Sequence, residues 1–436
     1  MNINTSKERI FNVLRLSIPA ILTQISSIIM QYIDAAMVGD LGANASASVG
    51  LVSTTTWLFG GICTAISVGF SVQVAHSIGA SDTKRARDVL KHGIITAFLL
   101  SLLLAIIGIL ISEPLPVFLR ADSAIHDDAT LYFLVYSITI PFMQMNYLAS
   151  ACLQCSGNMV TPSILNTVCC LLDVIFNAIF IPKYGVMGAA IGTSLSVVTV
   201  SLVMMYFCFV KSPALSLPHS DKSAFDKDLL KKAFKIGFPV AVEEGAMCSA
   251  MIATTAIIAP LGNVAVAATS FAITAESICY MPGYGLGYAA TALVGQSMGA
   301  SDKKLAKTYG NIAISIGAVL LGILAFAMYF VCPFIFKMMT PDQSVRNLAA
   351  EVLRICLICE PLFGVSIVAS GALRGAEDTL VPSILNMSSL WIVRVGLALL
   401  LVKPYGLYGV WVAMTIELCV RGILMLIRQF TSKHYK

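Results

Sequence analysis

The sequence predicts an all-α integral membrane protein. Twelve transmembrane helices are expected, in two six-helix bundles related by a parallel internal repeat. Three observations predict this. First, 58% of the 436 residues are hydrophobic and only 12% are charged, about half the charged share of a soluble domain. Second, charges are missing from long stretches, such as Ile94 to Ile111; about eighteen apolar residues are enough to cross a bilayer as a helix. Third, the two halves of the chain match each other in a single register.

Spanning helices satisfy their own backbone groups in lipid. A β-barrel would need short alternating strands, and these runs do not alternate. The basic stretch Lys7 to Arg15 before an apolar run superficially resembles a signal peptide. The run is too long for that, and many more follow it. The expected spans are about 11–38, 47–77, 90–112, 126–153, 161–181, 186–210, 234–259, 265–297, 308–336, 346–374, 381–403 and 406–428. Pro19, Pro141, Pro239 and Pro361 fall in or near them and are expected to kink them.

Lys and Arg collect on cytoplasmic loops. Here they cluster at the N-terminus (Lys7, Arg9, Arg15), in the second loop (Lys84, Arg85, Arg87, Lys91) and in the sixth (Lys211, Lys222, Lys227, Lys231, Lys232, Lys235). They cluster again in the eighth (Lys303, Lys304, Lys307) and at the C-terminus (Arg428, Lys433, Lys436). The first loop has only Asp40, and the third mixes Glu113, Arg120, Asp122, Asp127 and Asp128. Both termini are therefore expected in the cytoplasm, with the chain in the cell (inner) membrane. The net charge of +5 reports this topology, and no nucleic-acid partner is expected.

The halves repeat at an offset of 220 residues. Pro19 matches Pro239, Leu41-Gly42 matches Leu261-Gly262, and Gly79-Ala-Ser-Asp82 matches Gly299-Ala-Ser-Asp302. Pro141 matches Pro361, and Pro162-Ser-Ile-Leu-Asn166 matches Pro382-Ser-Ile-Leu-Asn386. Near the end Tyr184-Gly185 matches Tyr405-Gly406 at an offset of 221. Six spans return the chain to the same side, so the two bundles run parallel. Residues 1–210 form the expected first bundle, 211–232 a basic cytoplasmic linker and 233–436 the second bundle. Transporters with repeats place substrate between the halves and rock one against the other.

A charge within the bilayer costs about 2.5–3.5 kcal/mol even on a lenient scale, so each one is a functional candidate. Asp34 lies in helix 1, and its repeat equivalent is Thr254, so the architecture does not require an acid there. Asp173 and Asn177 lie at i and i+4 of helix 5 and share a face. Their oxygens are the ligands a hard cation needs, and a carboxylate can equally carry a proton. Glu243, Glu244 and Glu276 stand where the first half has Thr23, Gln24 and Thr56. With Glu360 they are candidates to neutralise a cationic substrate or to form a second ion site. Arg394 and Glu417, at similar depth on consecutive helices, are expected to pair.

The twelve Cys include two CxxC spacings, Cys152/Cys155 and Cys356/Cys359. Both lie in apolar helical stretches with no nearby His, which fits small buried hydrophobes better than metal or redox sites. His76, His92, His126, His219 and His434 form no HxxxH and pair with no Ser nucleophile, so no enzyme and no cofactor are expected.

Four motifs stand out, among them Ile33-Asp34-Ala-Ala-Met-Val-Gly39 with Leu41-Gly42, and Val294-Gly-Gln-Ser-Met-Gly-Ala300 after Met281-Pro282. By these the chain resembles the MATE (multidrug and toxic compound extrusion) exporters. Gly371-Ala-Leu-Arg-Gly375 with Asp378-Thr379, and Gly185-Val-Met-Gly-Ala-Ala190 with Thr193, extend it over essentially the whole chain. The resemblance implies two lobes, a central cavity and export driven by Na⁺ or H⁺ entry. It places Asp34 at the family's helix-1 acid and makes Asp173, Asn177 and Thr193 coupling-ion candidates. Some members carry the helix-5 pair in the reverse order, Asn then Asp. The norfloxacin-type branch has a helix-7 Glu where this chain has Met247 and a helix-10 Asp where it has Phe363. The expected activity is antiport of small organic, cationic compounds or drugs against Na⁺ or H⁺, by a monomer in the bilayer. The alternative is a flippase for lipid-linked precursors, whose anionic cargo would call for a cavity rich in Arg and Lys.

Overall fold

The computed structural model describes residues 6–119, 121–217 and 225–435. Arg120, His219, Lys222, Lys436 and part of the expected linker lie outside them. Among the described residues there is no strand. The helices are α1 (Ser6–Gly39), α2 (Ala43–Gly79), α3 (Thr83–Ser112), the short α4 (Pro114–Phe118), α5 (His126–Cys155) and α6 (Val160–Tyr206). They continue as α7 (Lys227–Ile258), α8 (Asn263–Gly299), α9 (Lys303–Met339), α10 (Gln343–Cys356), α11 (Glu360–Gly375), α12 (Leu380–Ser388) and α13 (Gly396–Thr431).

Nine helical segments among the described residues are long and apolar enough to cross a membrane, where the sequence predicts twelve spans. Two of the nine, Val160–Lys211 and Leu380–Tyr435, run to 52 and 56 residues, and about 20 suffice for one crossing. Each is interrupted by a glycine outside helical geometry: Gly185 (φ 58°, ψ −132°) in α6 and Gly406 (φ 55°, ψ −134°) in α13. A Cβ is disfavoured at such angles, which is why glycine stands there. α5, with 30 residues, is not among the nine. The expected span 346–374 is split between α10 and α11 by a 3₁₀ turn at Leu357–Cys359, with Pro361 opening the next helix. Pro19, Pro141 and Pro239 stay inside continuous helices.

Local geometries recur in pairs along the two halves. Ser81 and Ser301 both take a left-handed conformation (φ 58° and 61°), as do Gly42 and Gly262 (φ 111° and 97°). The next residue after each serine caps a helix. Asp82 accepts from the Arg85 amide at 2.9 Å, and Asp302 from the Leu305 amide at 2.8 Å.

Packing divides the chain into two compact units, Ile25–Ala241 and Met1–Gln24 with Val242–Lys436. This differs from the expected bundles 1–210 and 233–436, because the first parts of α1 and α7 each join the other half. Glycines allow it. A Cβ on Gly285 would fall 2.7 Å from the Ile21 amide nitrogen, so α1 and α8 touch backbone to backbone. A Cβ on Gly69 would fall 2.5 Å from the Ala233 carbonyl oxygen, and one on Gly237 2.7 Å from that of Ala65, so α7 enters against α2 in the same way.

Asp226 anchors the start of α7. Its carboxylate accepts from the amides of Asp228 (3.0 Å) and Leu229 (3.2 Å) and pairs with Arg85 at 2.8 Å. Its own amide donates to His92 Nε2 at 3.0 Å. The Leu229 amide, with Arg85 beside it, holds this carboxyl below its ordinary value.

Apolar side chains lie on the outside as well as in the cores. Leu110, Phe118, Met338, Ile392 and Leu400 are all exposed. Exposed apolar side chains in such number suit lipid better than water.

Candidate functional site

In the Ile25–Ala241 unit, the break at Gly185 folds the second part of α6 back along the first. A Cβ on Gly188 would fall 2.2 Å from the Phe180 carbonyl oxygen, and one on Gly192 2.2 Å from Asn177 Oδ1. This close return sets a polar group inside the unit. Asn177 Nδ2 donates to Asp34 Oδ1 at 3.0 Å and to Asp173 Oδ2 at 3.2 Å. One amide thus bridges two carboxylates from α1 and α6. Asp173 and Asn177 are buried, and Asp34 is half-buried.

Ser196, from the returning part of α6, donates to the Thr193 carbonyl at 2.8 Å, and its hydroxyl lies 3.4 Å from Asp173 Oδ1. Thr193 is joined to the group through that carbonyl. Asn177 Oδ1 is buried and has no hydrogen-bond partner among the described residues. The arrangement is a hydrogen-bonded one, since the amide offers donors, not oxygen, to the two acids. A hard cation between the acids would require the amide to turn over and present Oδ1.

Gly192 is therefore a positioning residue. Gly192→Ala is expected to displace Asn177 and to lower thermal stability by about 1–3 kcal/mol. Unfolding of the detergent-purified protein measures this; an unchanged midpoint would show that the α6 return has slack.

The acids predicted for the second half separate into three groups, all within the other unit. Glu243 is saturated: Ser383 Oγ donates at 2.7 Å, Asn386 Nδ2 at 2.5 Å, and Arg374 lies 3.8 Å away. Glu244, its neighbour on α7, is half-buried. Glu276 on α8 and Glu360 on α11 are 1% and 0% exposed. Glu276 accepts from Cys356 Sγ at 3.2 Å, so this CxxC cysteine serves as a buried donor. Both Glu360 oxygens lack hydrogen-bond partners among the described residues.

The expected Arg394–Glu417 pair is present at 2.8 Å, but Glu417 carries more. Arg421 grips both its oxygens at 2.7 Å, and Ser389 Oγ donates at 2.8 Å. Sequence reasoning missed Ser196 and Arg421. Arg421 had a readable signal, since it follows Glu417 by one helical turn. So did Ser383 and Asn386, which belong to the repeated Pro-Ser-Ile-Leu-Asn segment.

The family model MatE matches residues 19–179 and 239–400, most of the chain in two consecutive copies. The chain belongs to the MatE family. Among curated MatE relatives, it is 26% identical to the "Probable multidrug resistance protein NorM" of Thermotoga maritima, over 97% of this chain and 92% of that one. It is 25% identical to the "Multidrug resistance protein NorM" of Burkholderia vietnamiensis, over 94% and 91%. Among solved structures, a multidrug resistance MATE family transporter of the MOP superfamily in an outward-facing conformation shares its fold, with TM-score 0.92, 23% identity, and 97% and 95% coverage. A MOP superfamily transporter from Pyrococcus furiosus, described as having a binding pocket of reverse polarity, shares it equally, with TM-score 0.92, 22% identity and the same coverage.

Proposed function

We propose that this MatE-family protein is a secondary antiporter that exports small organic, cationic compounds in exchange for Na⁺ or H⁺. The observation that carries the reading is the Asp34–Asn177–Asp173 group. Two carboxylates share one amide inside an apolar bundle. Like charges this close repel unless a proton or cation accompanies them. Loading the ion permits a conformation that bare charges oppose, and releasing it inside resets the cycle. Asp34, Asp173, Asn177 and Thr193 are the proposed coupling residues, with Ser196 as an added partner of Asp173.

Glu244, Glu276 and Glu360 are proposed to balance substrate charge, with Glu243 held in place by its three partners. Splitting the two longest apolar segments at Gly185 and Gly406, and adding α5, turns the nine segments into twelve spans. That even count supports a two-lobed parallel repeat with both termini on one side of the membrane; the basic loops favour the cytoplasmic side, and a monomer in the cell membrane completes the proposal. No catalysis and no cofactor beyond the coupling ion belong to this reading.

The flippase alternative is not favoured. Arg374, Arg394 and Arg421 are each paired with a glutamate, so no unpaired basic surface is offered by them to an anionic headgroup.

The test is transport of a fluorescent organic cation by proteoliposomes under separately imposed Na⁺ and pH gradients. One of the two gradients is expected to drive accumulation well above the no-gradient rate. Indifference to both would overturn the antiport reading.

A further inference from the structure

A shallow groove of about 230 Å³ lies on the outside of the second unit between α9, α10 and α11. Gly322, Ala325, Phe326, Leu357, Ile358 and Pro361 line it, together with Tyr329 and Arg354. Gly322 opens it, since even a Cβ there would already touch Pro361. The rim faces outward, with Phe326 70% and Ile358 78% exposed.

Arg354 stands at this groove without a carboxylate partner among the described residues. Its Nε donates to the Tyr329 carbonyl at 3.2 Å, and its guanidinium lies 4.9 Å above the Tyr329 ring. No carboxylate among the described residues forms a salt bridge with it, whereas Arg374, Arg394, Arg421 and Arg428 all have one.

Its depth can be read from the helix. α10 presents Gln343, Ser344, Asn347 and Glu351 to the exterior, then turns apolar after Arg354. From Arg354 to Gly375 is 21 residues, or roughly 32 Å along a helix, close to one hydrocarbon thickness. Arg354 therefore marks a membrane–water boundary, and the Phe326, Tyr329 and Phe330 rings packed edge to face beside it are the aromatic band expected at that level.

We propose that this groove binds an anionic phospholipid, with its phosphate on Arg354 and an acyl chain along Gly322, Leu357 and Ile358. A guanidinium fork fits a phosphate through two parallel hydrogen bonds. Stacking on Tyr329 pre-orients it, and the apolar trough below suits hydrocarbon, not a soluble anion. The site has a consequence for the interior. Leu357 and Ile358 belong to the 3₁₀ turn Leu357–Cys359, which leads directly into Glu360 at the start of α11, so the bound chain braces the backbone that carries this buried acid. The inference needs only the membrane reading of the chain and stands apart from the identity of substrate or ion.

The test uses the full purified chain. Its thermal midpoint and its retained lipid by native mass spectrometry are measured with phosphatidylglycerol, with phosphatidylcholine and with inorganic phosphate. Phosphatidylglycerol alone is expected to raise the midpoint and to remain bound. Arg354→Gln is expected to weaken phosphatidylglycerol retention about fivefold, the worth of one basic residue at a membrane surface. Gly322→Leu, which fills the trough, should do the same with the charge intact, and Arg354→Lys should keep part of the effect. Equal retention of both lipids by the wild type overturns the proposal, as does protection by inorganic phosphate. Wild-type retention by Arg354→Gln and Gly322→Leu also overturns it. If either variant fails to fold, Arg354→Lys and the wild-type lipid comparison still decide.

Discussion

Asp34→Asn is expected to reduce gradient-driven export to the rate seen without a gradient, while the protein folds and still binds substrate. The substitution keeps the size of the side chain and an oxygen able to accept the Asn177 Nδ2 hydrogen bond now made at 3.0 Å. It removes only the charge, and with it the repulsion against Asp173 that proton or cation binding relieves. Asp173→Asn should behave alike, because the two acids share the same amide. Asn177→Ala removes the bridge and the only neutral carbonyl-type oxygen of the three side chains. It should impair chiefly the Na⁺ response if Na⁺ is the driving ion. Efflux from proteoliposomes, set beside equilibrium binding in detergent, separates these cases. Full driven export by Asp34→Asn would move the coupling ion elsewhere, and the buried, unpartnered Glu360 beside Glu276 would become the next candidate.

Glu417→Gln is expected to be the most destabilising single substitution in the second unit, by about 3–5 kcal/mol, because breaking a buried pair strands its partner. Here it strands two, Arg394 and Arg421. Arg394→Gln should cost clearly less, since Arg421 still grips both Glu417 oxygens. From the Arg394–Glu417 pair alone, neutralising both residues should restore part of the folded yield. With Arg421 present that double variant should stay poor, and recovery should need Arg421→Gln as well. Folded yield and thermal midpoint across the four variants check this. Recovery by the double variant would mean that Arg421 finds another anion.

The class of molecule was legible in the sequence because it is a bulk property. Apolar runs of spanning length admit helices and little else in lipid. The matched segments were legible because they keep one register, and like local conformations stand at matched positions, such as Ser81 and Ser301. The acids proposed as ion residues stood out for the same thermodynamic reason, since a carboxylate in an apolar run is costly.

What the sequence by itself determined is therefore the solvent each segment meets and the chemistry placed there. Tertiary structure decided the rest, because partners are set by three-dimensional contact and not by spacing. It assigned the starts of α1 and α7 to opposite units through backbone contacts at Gly285, Gly69 and Gly237. It turned Asn177 so that its amide protons, not its oxygen, face both acids. It saturated Glu243 while leaving Glu360 without a partner among the described residues. A pattern of residue types specifies which groups must be satisfied in a low-dielectric interior; only the packed chain specifies which neighbour satisfies each one.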